Sequence, residues 1–322
     1  MSLDVVALGE VLIDFAARGS AENGYPLMQA NPGGAPGNYL AALAKYGCRT
    51  AFIGKAGNDS FGKLLKNTME QLGIDTRALL LSDEVFTTLA FVTFDETGDR
   101  SFSFARKPGA DTALTFQECR TELIDQARVF HFGTLSLTDE PAGTATKKCV
   151  EYAKQAGKLI SFDPNLRLPL WKTPEAAKEA MQWGLSQADV VKISDEEVDF
   201  LWQETAEQGA SRILQEYGAK LVFVTLGAKG CYFAGRQGSG GVSSPKVHPF
   251  DTTGAGDIFG GSAMSRLLKL GKPVEELTLS ELQEIVRFAS AAASLSTEHP
   301  GGMESVPEEA KVMEVIAQGV RG

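Results

Sequence analysis

The chain has 322 residues, 43% of them hydrophobic, and a formal net charge of −10. That supports a sizeable core, in one large α/β domain or two ordinary ones. The acidic balance, with no clustered Lys or Arg, argues against a nucleic-acid backbone as partner and leaves small metabolites as the expected ligands.

The opening "MSLDVVALGE" enters a strand-like run with no basic region or signal core, and no apolar run reaches membrane-spanning length. No membrane contact and a cytoplasmic location are expected. "DVVALGEVLIDF" reads as the first strand, "NYLAALAKYG" as a helix, "TAFIGKAG" as a strand and "FGKLLKNTMEQLG" as a helix. "TTLAFVTFDETGDRSFSFAR" then alternates apolar and polar residues on both sides of "ETGD", the pattern of a β-hairpin outside the main sheet. Its second strand sets Arg100, Phe102, Phe104 and Arg106 on one face, as a lid over a crevice or as a plain edge hairpin.

The alternation resumes with "RVFHFGTLSL", "GTATKKCVEYAKQAG", "KLISFDP", "PEAAKEAMQWGLSQA", "DVVKIS" and "KLVFVTLG". This is the β-α-β rhythm of an α/β, doubly wound, mainly parallel sheet with helices on both faces. One domain over 1–322 is expected, with a small β lid built from about 11–32 and 86–108. The biased stretch "AGRQGSGGVSS" reads as a mobile hairpin loop. Cys48, Cys119, Cys149 and Cys231 form no C-x-x-C pair, and His131, His248 and His299 are scattered. Neither a disulfide framework nor a transition-metal site follows.

Three glycine-bearing stretches compete for a phosphate: "PGGAPGN" at 32–38, "TLGAKG" at 225–230 and "DTTGAGD" at 251–257. The loop after the first strand lacks G-x-G-x-x-G and no Walker P-loop occurs, which removes a nicotinamide oxidoreductase and a P-loop enzyme. "TLGAKG" reads equally well as simple turn chemistry. In "DTTGAGD" the N–H groups of Gly254, Ala255 and Gly256 lie at the positive end of the following helix, where they can hold the charge of a transferring phosphoryl group. Asp257 then reads as the acceptor of a proton from an attacking hydroxyl, against the plainer alternative of a helix cap.

"GGAPGNYLAALAKYGCRTAFIGKAGNDSFG" and "DTTGAGDIFGGSAM" resemble the two signature segments of the PfkB (ribokinase-like) carbohydrate kinase family, and the likeness runs over essentially the whole chain. Within the family, "GEVLIDF", "SFARKPGADTAL", "FHFGTLSL", "SFDPNLRLPLW" and "DVVKISDEEVDFL" are most similar to fructokinases of bacterial and plant type. The resemblance implies a ribokinase-like fold and ATP-dependent phosphorylation of fructose to fructose 6-phosphate. The alternatives are 2-keto-3-deoxygluconate or another sugar or riboside and, from a different class, a non-catalytic sugar-binding regulator. The intact "GAGD" argues against that regulator, since sensing needs no base.

Residue by residue, the resemblance assigns Asp14, Gly33, Gly34 and Asn38 to the sugar, with Arg106 closing over it and Asp163, Asn165 and Arg167 beside it. Either arginine would equally hold the carboxylate of a sugar acid. Lys192, Glu197, Thr225, Gly227 and Gly230 fall on the nucleotide side, with "SLSTEHPGGMESVP" bordering the adenine. The family's Asn-x-x-Glu motif, tied to Mg²⁺, stands here as Ser194-Asp195-Glu196-Glu197. Glu197 would reach Mg²⁺ through water, although Ser194 and Glu197 also read as a capping box. Asp251 and Thr253 match positions whose carbonyls bind a monovalent cation in many relatives, which makes K⁺ a candidate. The hairpin's exposed edge and apolar face point to a homodimer through the lid.

Overall fold

Short apolar runs between helical segments become strands covered on both faces: in Val5–Leu8 every residue is 0% exposed. The computed structural model describes residues 2–94 and 100–319, so the "ETGD" turn lies outside the described residues. In chain order the elements are β1 (Val5–Leu8), β2 (Leu12–Ser20), β3 (Pro26–Gly33), α1 (Ala35–Lys45), β4 (Thr50–Gly57), α2 (Ser60–Gln71), β5 (Ile74–Ser82), β6 (Thr88–Phe94) and β7 (Arg100–Ala105). There follow α3 (Thr121–Gln126), β8 (Val129–Gly133), α4 (Ala142–Gln155), β9 (Leu159–Asp163), α5 (Pro174–Gln187), β10 (Val190–Ser194), α6 (Asp195–Trp202) and α7 (Ala206–Glu216). The chain ends with β11 (Leu221–Thr225), β12 (Cys231–Gly235), β13 (Gly238–Val242), α8 (Ala255–Leu270), α9 (Leu279–Ser296) and α10 (Glu309–Gly319).

The large sheet runs β13-β12-β11-β10-β9-β8-β1-β4-β5. It is parallel except at β12 and β13, which return antiparallel at one edge. From β1 the chain winds outward to β4 on one side and later to β8 on the other, so the loops after these strands diverge and open a crevice at their C-terminal ends. One core layer packs α1, α2, α8 and α9 on one face, and the other packs α3 to α7 on the opposite face. The doubly wound α/β architecture expected from the sequence is therefore present.

Three details differ from the sequence reading. "DVVALGEVLIDF" is two strands in two sheets: β1 is an interior strand of the large one, whereas β2 pairs with β3 and β6 in a separate four-stranded sheet of order β3-β2-β6-β7. The break falls at Gly9–Val11, where a Cβ on Gly9 would stand 2.6 Å from the Pro36 ring; continuing apolar residues hid the turn. Strand β5 escaped notice because "IDTRALLLS" has no clean alternation. "AGRQGSGGVSS" forms much of the hairpin β12–β13, a regular edge of the large sheet and not a mobile loop. Its glycines let β13 lie close over the Phe233 ring, 3.3 Å from where a Cβ on Gly240 would be.

One helix contact positions the site. A Cβ on Gly261 of α8 would stand 2.3 Å from the Tyr39 carbonyl of α1, so the two helices meet at backbone distance. Asn38 and Asp257, close to this contact on α1 and α8, are thereby brought within reach of each other. Among the described residues no helix is long and apolar enough to cross a membrane.

Candidate active site

The "TGAGD" loop turns into α8 with Gly254 at its N-cap, φ +80°, a conformation that favours glycine. Space is tight as well: a Cβ on Gly254 would stand 3.0 Å from Asn38 Nδ2, and one on Gly256 would stand 3.0 Å from Lys192 Nζ. Ala255 spends its N–H on the Thr252 carbonyl at 3.3 Å. Among the described residues the N–H groups of Gly254, Gly256 and Asp257 have no protein acceptor, so donors from both glycines remain at this helix end.

Asp257, in the first turn of α8, is 7% exposed, and its Oδ2 accepts a hydrogen bond from Asn38 Nδ2 at 2.8 Å. Burial pushes its carboxyl above the ordinary value, while Lys192, the Asn38 hydrogen bond and Arg167 pull the other way. Lys192, on β10, donates to both oxygens of Asp163 at the end of β9, at 3.0 and 3.1 Å. Burial works against the Lys192 charge, yet Asp163, Glu197 and Asp257 around it hold its pKa above the ordinary value.

A cavity of about 180 Å³ opens in front of these groups, lined among others by Asp14, Gly34, Asn38, Asn165, Arg167, Lys192 and Asp257. Its walls come from both sheets, since Lys192 belongs to β10 of the large sheet and Asp14 and Phe104 to β2 and β7 of the small one. Burial raises the Asp14 carboxyl to about 7, against the pull of Arg167. Gly33 makes room for it: a Cβ there would overlap Asp14 Oδ2 at 2.2 Å. Asn165 adopts φ +46°, turned by the hydrogen bond from its N–H to Asp163 Oδ1 at 3.2 Å.

A second cleft of about 640 Å³ lies beyond the loop, with Thr225, Gly227, Gly230, Phe259 and Ala293 on its walls. Its size suits a small-molecule ligand, which occupies about 300–1,000 Å³. Thr252 and Gly256 belong to both cavities, so the two meet at the glycine loop.

Several sequence-assigned residues sit elsewhere than expected: Lys192, assigned to the nucleotide side, lines the first cavity, while Gly33 and Glu197 line neither. Arg106 does not line the cavity. It is 4% exposed, and its donors are taken by Asp111 Oδ2 at 2.8 Å, Thr138 Oγ1 at 2.6 Å and the Leu135 carbonyl at 2.9 Å. A buried guanidinium must satisfy its N–H groups, and this one does so by bracing Leu135, a cavity wall. Asp163 likewise lies behind Lys192 and not on the cavity surface.

Glu197 forms the capping box with Ser194 and also accepts the Leu166 N–H at 2.7 Å, which ties α6 to the segment carrying Asn165 and Arg167. Asp251 anchors its loop through the N–H groups of Thr253, at 2.9 Å, and Gly301, at 3.1 Å. Of "SLSTEHPGGMESVP", Ser294 and Thr297 line the second cleft. The sequence reading missed residues 244–249 in that cleft, a segment without motif, and Glu10, Leu12 and Leu135 in the first.

Known proteins resemble this chain over nearly its whole length. The sequence profile of the pfkB family carbohydrate kinases matches residues 2–309. Fructokinase-1 of Zea mays is 40% identical over 315 residues, covering 97% of each chain. A fructokinase from Xylella fastidiosa with bound ATP superposes with a TM-score of 0.88 at 30% identity, over 99% of this chain and 100% of that one. A double-mutant fructokinase from Vibrio cholerae O395, bound to fructose, ADP and potassium ion, gives 0.87 at 30% identity over 98% and 99%. A likeness that spans both sheets and both cavities settles the kinship: the chain belongs to the pfkB family of carbohydrate kinases.

Proposed function

We propose that the chain is an ATP-dependent fructokinase, which transfers the terminal phosphoryl group of ATP to D-fructose and yields fructose 6-phosphate. The observation that carries the reading is the meeting of the two cavities at Thr252 and Gly256, with Asp257 on the polar side. A sugar in the smaller cavity and a nucleotide in the larger cleft would face each other across the glycine loop. The fructokinases reported above support fructose as the sugar.

In this reading Asp257 accepts the proton of the attacking hydroxyl. A carboxylate suffices, because the phosphoryl-transfer transition state is loose and asks little of its base. Lys192 and the N–H groups of Gly254 and Gly256 hold the charge that develops on the transferring group. Asn38 keeps Asp257 oriented. Asp163 keeps Lys192 in place.

Mg²⁺ supplies charge neutralisation on the nucleotide phosphates. Each Glu197 oxygen already accepts a backbone N–H, which fits a link through water better than direct ligation. The Asp251 and Thr253 carbonyls would hold K⁺ in a loop pinned by the Asp251 carboxylate, with the Thr253 carbonyl shared with the Gly302 N–H. A cytoplasmic homodimer completes the proposal. Strands β3 and β7 are open edges of the small sheet, and Leu27 and Tyr25 beside the β3 edge are 49% and 70% exposed. Static light scattering at assay concentration is expected to return twice the chain mass, and a monomer mass would refute the dimer.

Replacing Asp257 by Asn keeps the shape and removes the proton acceptor, so kcat should fall by about 10² to 10⁴. In the wild type, kcat/KM for the sugar should decline toward acid as Asp257 takes up a proton. Because burial raises that carboxyl, the midpoint is expected above the ordinary aspartate value of 3.8. Undiminished turnover in D257N would sink the general-base role.

The sugar is decided by a panel assayed for ADP formation with ATP and Mg²⁺. Arg106 is committed to Asp111, which removes one of the two arginines through which a sugar acid would be held. Fructose is therefore expected to outpace 2-keto-3-deoxygluconate. The reverse order would overturn fructose and leave the kinase assignment intact.

A further inference from the structure

Glu10 takes no part in the chemistry above, yet it lines the sugar-side cavity and is 3% exposed. It follows the C-terminal end of β1, an interior strand of the large sheet. Its Oε1 accepts the Ala35 N–H at 2.9 Å, at the first residue of α1. That helix has no cap of its own: Gly34 at the N-cap has no side chain, the first turn holds no acidic residue, and Pro36 has no N–H to offer. Glu10 supplies the missing anion from across the β1–β2 turn.

This anchors one oxygen and leaves the other. Glu10 Oε2 accepts no hydrogen bond from another residue among those described. The nearby Arg106 is committed to Asp111, Thr138 and Leu135. Besides the Ala35 N–H, the Glu10 carboxyl has its own backbone N–H beside it but no further donor among the described residues, and the polar cavity it lines is where one would come from. Lys192 is paired with Asp163.

We propose that Glu10 is a further sugar-binding residue, whose second carboxylate oxygen accepts a hydroxyl of a neutral sugar and disfavours an anionic substituent at the α1 end of the cavity. The inference rests on the sugar-kinase reading and not on fructose in particular. It is therefore tested with whichever neutral sugar the wild type phosphorylates fastest, so that a failure of fructose and a failure of Glu10 remain separate results.

Glu10→Gln keeps an oxygen for the Ala35 N–H and turns the cavity-facing acceptor into a donor. The sugar KM is expected to rise about tenfold or more, the cost of one charged hydrogen bond, with kcat and the KM for ATP within about twofold. Thermal stability should be nearly unchanged, since the cap survives. E10D, which keeps the charge but withdraws it by one methylene, should show the same selective rise, and it serves as the second variant if E10Q does not fold. Because KM does not depend on the fraction of molecules folded, partial loss of protein cannot imitate the result. An unchanged sugar KM in either folded variant would overturn the proposal, as would equal changes for sugar and ATP.

Discussion

The structure is organised around a buried carboxylate. Asp257 sits in the first turn of α8 and receives a hydrogen bond from Asn38 on α1, with Lys192 and Arg167 near enough to favour its charge. Removing a carboxylate from water is tolerated only where donors and positive charge replace the solvent. Much of the neighbouring sequence reads as the cost of meeting that condition. Gly254 and Gly256 leave room for Asn38 and Lys192, Gly261 lets α1 and α8 touch, and Asp163 fixes the lysine. The groups that oppose the upward push of burial on the Asp257 carboxyl, Lys192, Asn38 and Arg167, line the same polar cavity as Asp257 itself.

The cations around this centre are largely spoken for. Lys192 is bound by Asp163, and Arg106 by Asp111 with two further acceptors. The carboxyls of Glu10 and Asp14, both raised to about 7 by burial, line the same cavity, where Arg167 pulls against the shift at Asp14. Such a surface is suited to hydroxyl groups, which donate readily and carry no charge. It suits a sugar acid less well. The small sheet contributes Leu12, Asp14 and Phe104 to the same cavity while pairing through its own ladder.

Some of this was legible in the sequence. The β-α-β rhythm, the hairpin outside the main sheet and the glycine loop before a helix each rest on local pattern, and local pattern survives folding. Other features depend on residues far apart in the chain. The turn at Gly9–Val11 is hidden because both strands it joins are apolar, one buried in the large sheet and one in the small. Arg106 was assigned to the sugar by the family resemblance, but Asp111, five residues on, captures it, a contact that no period predicts. Glu10 caps a helix twenty-five residues away, and residues 244–249 line a cleft through shape alone. Glu197 was readable in both of its senses, and the capping box is the one the structure displays.

The most direct test of the account is a crystal structure of the protein with the sugar and a non-hydrolysable ATP analogue. The account predicts the accepting hydroxyl within about 2.6–3.2 Å of the Asp257 carboxylate and the terminal phosphoryl mimic against the N–H groups of Gly254 and Gly256, one ligand in each cavity. A hydroxyl bound beyond hydrogen-bond reach of Asp257, or a nucleotide whose phosphates lie away from the glycine loop, would contradict it.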